Sequence, residues 1–351
     1  MKKIMVALCA LVVACMASPL AASGATAQTT YIASGSVYHN GYTTVSLKDY
    51  KMTAKSAAGK ATVLMSGIDQ EKNLSFYVRG TTTYCSETPL ESADYANDPG
   101  SQKLYCVKTN GTKTRITEGV GDIIGGYGED IITFRRDSGT VSRIHAGSSN
   151  IICKTLFSAG GPVTLFAGKL YYFNKAYSLS TAKTTKFTFK NMVSTKNYLY
   201  YVSGSDNLVR MNASGEKKYL AKNVKGVFGG NDNGNAIFSK SSKTGMNYYR
   251  VNSKGTVCRL ASQAAVLKAA GINRASELRA VLVNGKVCIG VYDNVANNAA
   301  IVSVANTGGT PKVIAKTDML KSMAAYGRVL YYTGGGNDDF QYVYYKTIVI
   351  R

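Results

Sequence analysis

Short runs of apolar and tyrosine residues alternate along this chain with turns rich in glycine, serine and asparagine. The clearest unit reads Tyr198-Leu199-Tyr200-Tyr201-Val202, a turn, Asn207-Leu208-Val209-Arg210-Met211-Asn212, a turn at Ala213-Ser214-Gly215, then Lys217-Lys218-Tyr219-Leu220. Aromatic and β-branched residues suit a pleated, half-buried surface, so each unit predicts antiparallel strands. The middle strand recurs as Leu104-Tyr105-Cys106-Val107, Val141-Ser142-Arg143-Ile144, Tyr177-Ser178-Leu179, Leu208-Val209-Arg210-Met211, Tyr248-Tyr249-Arg250-Val251, Ile301-Val302-Ser303-Val304 and Gln341-Tyr342-Val343-Tyr344. The turn after it usually holds a glycine: Gly111, Gly147, Gly215, Gly255 or Gly308. Glycine reaches positive φ there without a Cβ clash.

The strand before each middle strand is equally regular: Leu74–Val78, Ile131–Phe134, Leu170–Phe173, Leu199–Tyr201, Ala236–Phe238, Val287–Val291 and Leu330–Tyr332. One supersecondary unit repeated in this way buries its faces only against its neighbours. The expected fold is therefore all-β, a β-propeller of seven blades. Seven units over residues 28–351 allow about 46 residues each, the size of a four-stranded blade. The last copy looks short, and residues 31–64 carry strand-like runs (Thr43–Leu47, Ala61–Leu64) without a complete unit. They are expected to pair with the C-terminal blade and close the ring, which removes exposed edges. A sandwich or an open solenoid is the alternative arrangement of such strands. Ser262 to Gly271 breaks the pattern: an N-cap serine, good helix formers and a terminating glycine predict a short helix between blades.

The chain opens Met1-Lys2-Lys3, an apolar run from Ile4 to Ala17, and small residues to Ala25-Thr26-Ala27. That is the layout of a secretory signal peptide over 1–27, leaving 28–351 as a single propeller domain. Two leader readings stand: cleavage after Ala27, or lipid attachment at Cys15 within Val12-Val13-Ala14-Cys15. No other run is long enough to span a membrane. Lysines and arginines outnumber acids 42 to 20, a formal charge of +22, spread as single residues over the units. For an exported protein this favours an anionic glycan, a wall polymer or a surface protein as partner, and no nucleic acid. Cys85, Cys106, Cys153, Cys258 and Cys288 follow the leader. Cys85 and Cys106 flank an insertion and form a candidate disulfide, worth about 3 kcal/mol in the chain-entropy model.

Few motifs carry chemistry. Ser180-Thr181-Ala182-Lys183, Ser205-Asp206-Asn207 and Lys243-Thr244-Gly245 match the S-x-x-K, S-D-N and K-T-G series of class A β-lactamases. Each falls in a turn between predicted strands, without the helix that such a serine needs. The two histidines, His39 and His145, have no paired cysteines for zinc. His145 occupies the place of Asn212 in the best unit, a turn position. Asn231-Asp232-Asn233 and Asn337-Asp338-Asp339 could hold calcium through oxygen ligands, but such residues are also the commonest turn formers. Arg143, Arg210 and Arg250 recur at one repeat position, which favours pairing or stacking within the blade.

The units Leu199-Tyr200-Tyr201…Leu208-Val209-Arg210-Met211-Asn212-Ala213-Ser214-Gly215 and Tyr248-Tyr249-Arg250-Val251-Asn252-Ser253-Lys254-Gly255 resemble the "YY…LYRMN-x-DG" repeats of tyrosine-rich secreted bacterial propellers, which are similar to the YWTD propellers of lipoprotein receptors. The resemblance implies a propeller and an extracellular or cell-wall address, and transfers no catalytic residue. This chain lacks tryptophan and the turn aspartate of that pattern. The expected function is a secreted, non-catalytic binding propeller. The alternatives are a hydrolase or lyase of anionic polysaccharide using loop carboxylates, and a structural or adhesion protein.

Overall fold

The structure is a computed structural model and describes residues 42–48, 51–56, 61–66, 72–79, 82–89, 102–107, 113–135, 137–145, 152–230, 234–243, 245–275, 277–326, 328–335 and 343–351. The leader, Cys15, His39, Asn231-Asp232-Asn233 and Asn337-Asp338-Asp339 lie outside them.

The described strands fall into eight antiparallel sheets. Sheet I holds β1 (Tyr42–Lys48), β2 (Lys51–Ser56) and β3 (Ala61–Ser66). Sheet II holds β4 (Lys72–Arg79), β5 (Thr82–Pro89), β6 (Lys103–Val107) and β7 (Lys113–Glu118). Sheet III holds β8 (Asp122–Tyr127), β9 (Asp130–Phe134), β10 (Thr140–His145) and β11 (Ile152–Ser158). Sheet IV holds β12 (Thr164–Phe166), β13 (Lys169–Tyr172), β14 (Lys175–Ser178) and β15 (Thr184–Lys186). Sheet V holds β16 (Asn191–Ser194), β17 (Tyr198–Val202), β18 (Leu208–Asn212) and β19 (Lys217–Ala221). Sheet VI holds β20 (Val224–Gly230), β21 (Ala236–Ser242), β22 (Gly245–Val251) and β23 (Val257–Ser262). Sheet VII holds β24 (Glu277–Val283), β25 (Lys286–Asp293), β26 (Asn298–Ala305) and β27 (Lys312–Thr317). Sheet VIII ends the chain with β28 (Met319–Tyr326), β29 (Val329–Gly335) and β30 (Val343–Val349).

Sheets II to VIII share one plan. Their first strands adjoin in series, from β4 through β8, β12, β16, β20 and β24 to β28, which makes the fold a β-propeller. Sheet I is the departure from the expected seven units. Residues 42–66 build three strands of their own, with β1 laddered to β2, rather than only lending a strand to the last sheet. β1 does run close to β30. The helix forms as expected: α1 (Gln263–Ala270) is capped by the Ser262 side chain, which accepts from Ala265 N, and ends at Gly271 with φ 71°.

Alternation along each strand sends successive side chains to opposite junctions, because a strand has a period of two. Leu199 and Tyr201 face sheet IV, whereas Tyr200 between them faces sheet VI. Ile131 joins the core shared with sheet II, and Ile132 the core shared with sheet IV. α1 adds Val266 and Ala270 to the junction of sheets VI and VII. Polar staples cross the same junctions. Ser75 Oγ of β4 accepts from Ile123 N at 2.7 Å. Asn191 of β16 grips both backbone groups of Val227, accepting from its N at 3.2 Å and donating to its O at 2.9 Å. Ile123 and Val227 each sit at a β-bulge in the following first strand.

Removing the Asn191 amide takes a partner from both Val227 groups, so Asn191→Ala is expected to cost about 1–3 kcal/mol by urea denaturation; an unchanged midpoint would refute the staple. Burial also pushes the Tyr171 and Tyr248 phenols up to about 12. Both remain protonated in the fold while the unfolded chain ionises near pH 10. Stability is therefore complete below pH 10 and falls as pH rises from 10 towards 12, which phenolate absorbance and unfolding curves taken together will show.

Candidate interaction face

With first strands innermost, the second-to-third-strand turns of sheets II to VIII share an end with the links that lead from one sheet to the next. In sheet IV, Tyr172 pairs with Lys175, leaving a two-residue turn of Phe173 and Asn174. Both have positive φ, 41° and 60°. That is the signature of a type I′ turn, a conformation that favours Asn and Gly and strains a bulky residue. Phe173 is nonetheless 66% exposed. Its ring rests over Gly160 and Gly161 of the link from sheet III, where a Cβ on Gly160 would come within 3.1 Å. Asn174 fixes the turn from below: its carbonyl accepts from Phe187 N at 2.8 Å and its side-chain oxygen from Phe189 N at 3.0 Å. A large aromatic is thus held rigidly outwards.

The neighbouring turns are also ordered by side chains. Asp206 (φ 60°) takes Lys190 at 2.5 Å and Lys225 at 3.7 Å, and the Lys190 hydrogen bond leads the effects that hold its carboxyl below the usual range. In sheet VII, Asp293 Oδ1 accepts from Val295 N at 3.0 Å and Ala296 N at 3.3 Å, leaving Val295 76% exposed.

At the opposite end, Asp130 receives Arg143 on one oxygen and His145 Nδ1 on the other at 2.8 Å. His145 Nε2 points towards Glu129 at 3.8 Å. His145 pairs with Asp130 as Asn212 pairs with Tyr198, so the expected equivalence with Asn212 holds, but both residues end their strands rather than lying in the turn. Arg143 continues to Leu179 O of sheet IV at 3.3 Å, so the cluster joins two sheets. Arg210 does the same, stacking on Tyr198 at 4.3 Å and donating to Ser253 O of sheet VI. Arg250 donates to Asn235 Oδ1 at 3.3 Å. Stacking within the sheet was legible from the repeat; the reach into the next sheet was not.

The β-lactamase-like motifs are separated. Ser180–Lys183 and Ser205–Asn207 lie at hairpin turns of sheets IV and V, and Lys243 and Gly245 flank the hairpin turn of sheet VI, with Thr244 outside the described residues. The expected disulfide is corrected by strand register. Cys85 stands opposite Tyr105 and Tyr84 opposite Cys106, so the two cysteines are one step out of phase and face opposite sides of sheet II. Both are free thiols, and burial raises the Cys85 thiol well above its usual value. Among the described residues no group of three metal-ligating side chains assembles, and no helix is long and apolar enough to cross a membrane.

No protein-family model matches the chain, and no curated protein sequence does. Its structure is similar to BamB from Moraxella catarrhalis, with 13% identity and a TM-score of 0.44 over 91% of this chain and 97% of that one. It is also similar to the β-propeller domain of the Trilobed protease from Pyrococcus furiosus, with 11% identity and a TM-score of 0.46 over 76% of this chain and 90% of that one. A quinonprotein alcohol dehydrogenase-like protein from Bacteroides thetaiotaomicron shows 15% identity and a TM-score of 0.40 over 78% and 74%. At these identities the likeness is one of fold.

Phe173→Asn replaces a strained residue by one at home in the left-handed region, and is expected to raise stability by about 1 kcal/mol. A lower melting temperature would show that the ring is needed by the fold rather than presented by it.

Proposed function

We propose that the chain is an exported, non-catalytic binding propeller of the tyrosine-rich secreted kind, similar to the YWTD propellers, and that its second-to-third-turn face holds a partner protein. The observation that carries this reading is Phe173. An aromatic that costs backbone strain and stays 66% exposed has no reason to persist for folding, whereas rigid exposed aromatics are common anchors of protein interfaces. Strain retained at a presented residue points to use of that residue. The basic surface supports a second partner class, a cell-surface glycan or wall polymer. The leader reading supports export, either free after cleavage behind Ala27 or tethered through lipid at Cys15.

Photo-crosslinking from position 173 of the exported protein on intact cells tests the reading. One defined surface protein is expected to be labelled, and the same protein is expected to lose affinity for Phe173→Asn by about tenfold. Labelling that is diffuse, or affinity that is unchanged in the variant, would overturn it.

A further inference from the structure

Phe173 projects from a corner of the molecule whose charge is of one sign. No aspartate or glutamate occurs between Asp137 and Asp206, a segment that contains all of sheet IV and the links on both sides of it. Lys169, Lys175, Lys183, Lys186 and Lys190 do occur there, so sheet IV has no carboxylate of its own to answer its cations.

Strand register sets two of these lysines beside Phe173. Lys175 begins β14 directly after the turn, opposite Tyr172 of β13 on one side and Lys186 of β15 on the other. Side chains in register across a sheet share a face. Tyr172 packs into the core between sheets III and IV, so both lysines lean to the sheet III side. The Phe173 ring leans the same way, over Gly160 and Gly161. Both lysines are exposed, and neither forms an ion pair among the described residues. Behind the turn, Asn174 holds Phe189 N, and the next residue is Lys190. Lys190 shares Asp206 with Lys225, so the one acid there meets two cations and leaves a positive excess.

A lysine on an outer strand guards a sheet edge, which accounts for Lys186. It does not account for Lys175, whose strand is laddered on both sides. Solubility is served as well by charges of mixed sign, and like charges directly opposite destabilise a sheet.

We propose that the partner protein meets this corner with an acidic peptide segment: an apolar side chain of the segment packs on Phe173, and the carboxylates flanking it pair with Lys175 and Lys186. This rests on the reading in which Phe173 anchors a protein and adds the chemistry of what it anchors. Complementary charge around an apolar anchor speeds encounter with the right segment and rejects basic ones. An anionic lipid surface carries the same sign, but membrane binding scales with apolar area, and one ring supplies little. Val295, the other strongly exposed apolar residue at this end, belongs to sheet VII.

The test selects a phage-displayed library of random peptides on the full exported protein, and separately mixes the protein with phosphatidylglycerol vesicles. Selected peptides are expected to carry Asp or Glu on either side of an apolar residue. Their affinity is expected to fall about tenfold in Phe173→Asn and about fivefold in Lys175→Ser with Lys186→Ser, the second loss closing at about 1 M salt. Lys175→Arg with Lys186→Arg is expected to retain binding. Lys254→Ser with Lys312→Ser removes equal charge from exposed positions at the opposite end of sheets VI and VII and is expected to change nothing. Peptides that depend on Phe173 but carry no acids would overturn the acidic segment while leaving Phe173 as an anchor. Acidic peptides indifferent to Phe173→Asn would overturn the anchor and the proposal with it. Equal weakening by the control pair, no selected peptide, or vesicle binding that Phe173→Asn abolishes would each overturn the proposal.

Discussion

A backbone N–H buried at a strand bulge must find an acceptor, and in this chain the acceptor comes from the preceding sheet. Ser75 serves Ile123, and Asn191 serves Val227. The bulge brings the first strand of one sheet against the first strand of its neighbour, and glycine makes the approach possible. A Cβ at Gly229 would strike the carbonyl oxygen of Ala280, and one at Gly126 the ring of Tyr77. The outer parts of the sheets add hydrophobic cores that are separate for each junction. The junctions of sheets II with III and of V with VI therefore combine a polar lock with an apolar core.

The third strands and the turns after them were legible because their chemistry is local. Asn212 and Asn252 each accept from the backbone N–H four residues on, and Gly215 and Gly255 take φ near 90°. That motif survives in sequence because no other residues perform it as cheaply. α1 was legible for the same reason, since serine and glycine caps are local devices. The first strands were not. Asp122–Tyr127 and Val224–Gly230 are rich in glycine and buried on both faces in places, so they show neither alternation nor strong β-propensity. Their identity depends on which sheet lies beside them. β5 was hidden for a simpler reason: Thr82–Pro89 continues a hairpin from β4, and its polar residues show no apolar run. Ser86 and Thr88 are polar because they bond Gly121 and Asp122 across the junction.

Of the candidate sites, the cysteine pair failed on a parity of one residue. Spacing along the chain says nothing about strand register, and a single step reverses the face. Phe173 carried a signal in Tyr172-Phe173-Asn174-Lys175, since two residues between paired strands demand an I′ or II′ turn. Reading it required knowing that Lys175 begins the next strand. His145 matched Asn212 in place, but it ends strand β10 rather than lying in the turn, and its link to Asp130 came only from the fold, where Asp130 opens the adjacent strand.

The Phe173 turn holds an apolar group outwards by backbone geometry, and its strain is local to two residues. The sheets are anchored where their first strands adjoin and at the inter-sheet cores, so an unfavourable term at a turn tip leaves the junctions intact. The glycine-rich first strands also depart from local preference, but they do so under the packing of the neighbouring sheets, whereas Phe173 does so at an exposed tip.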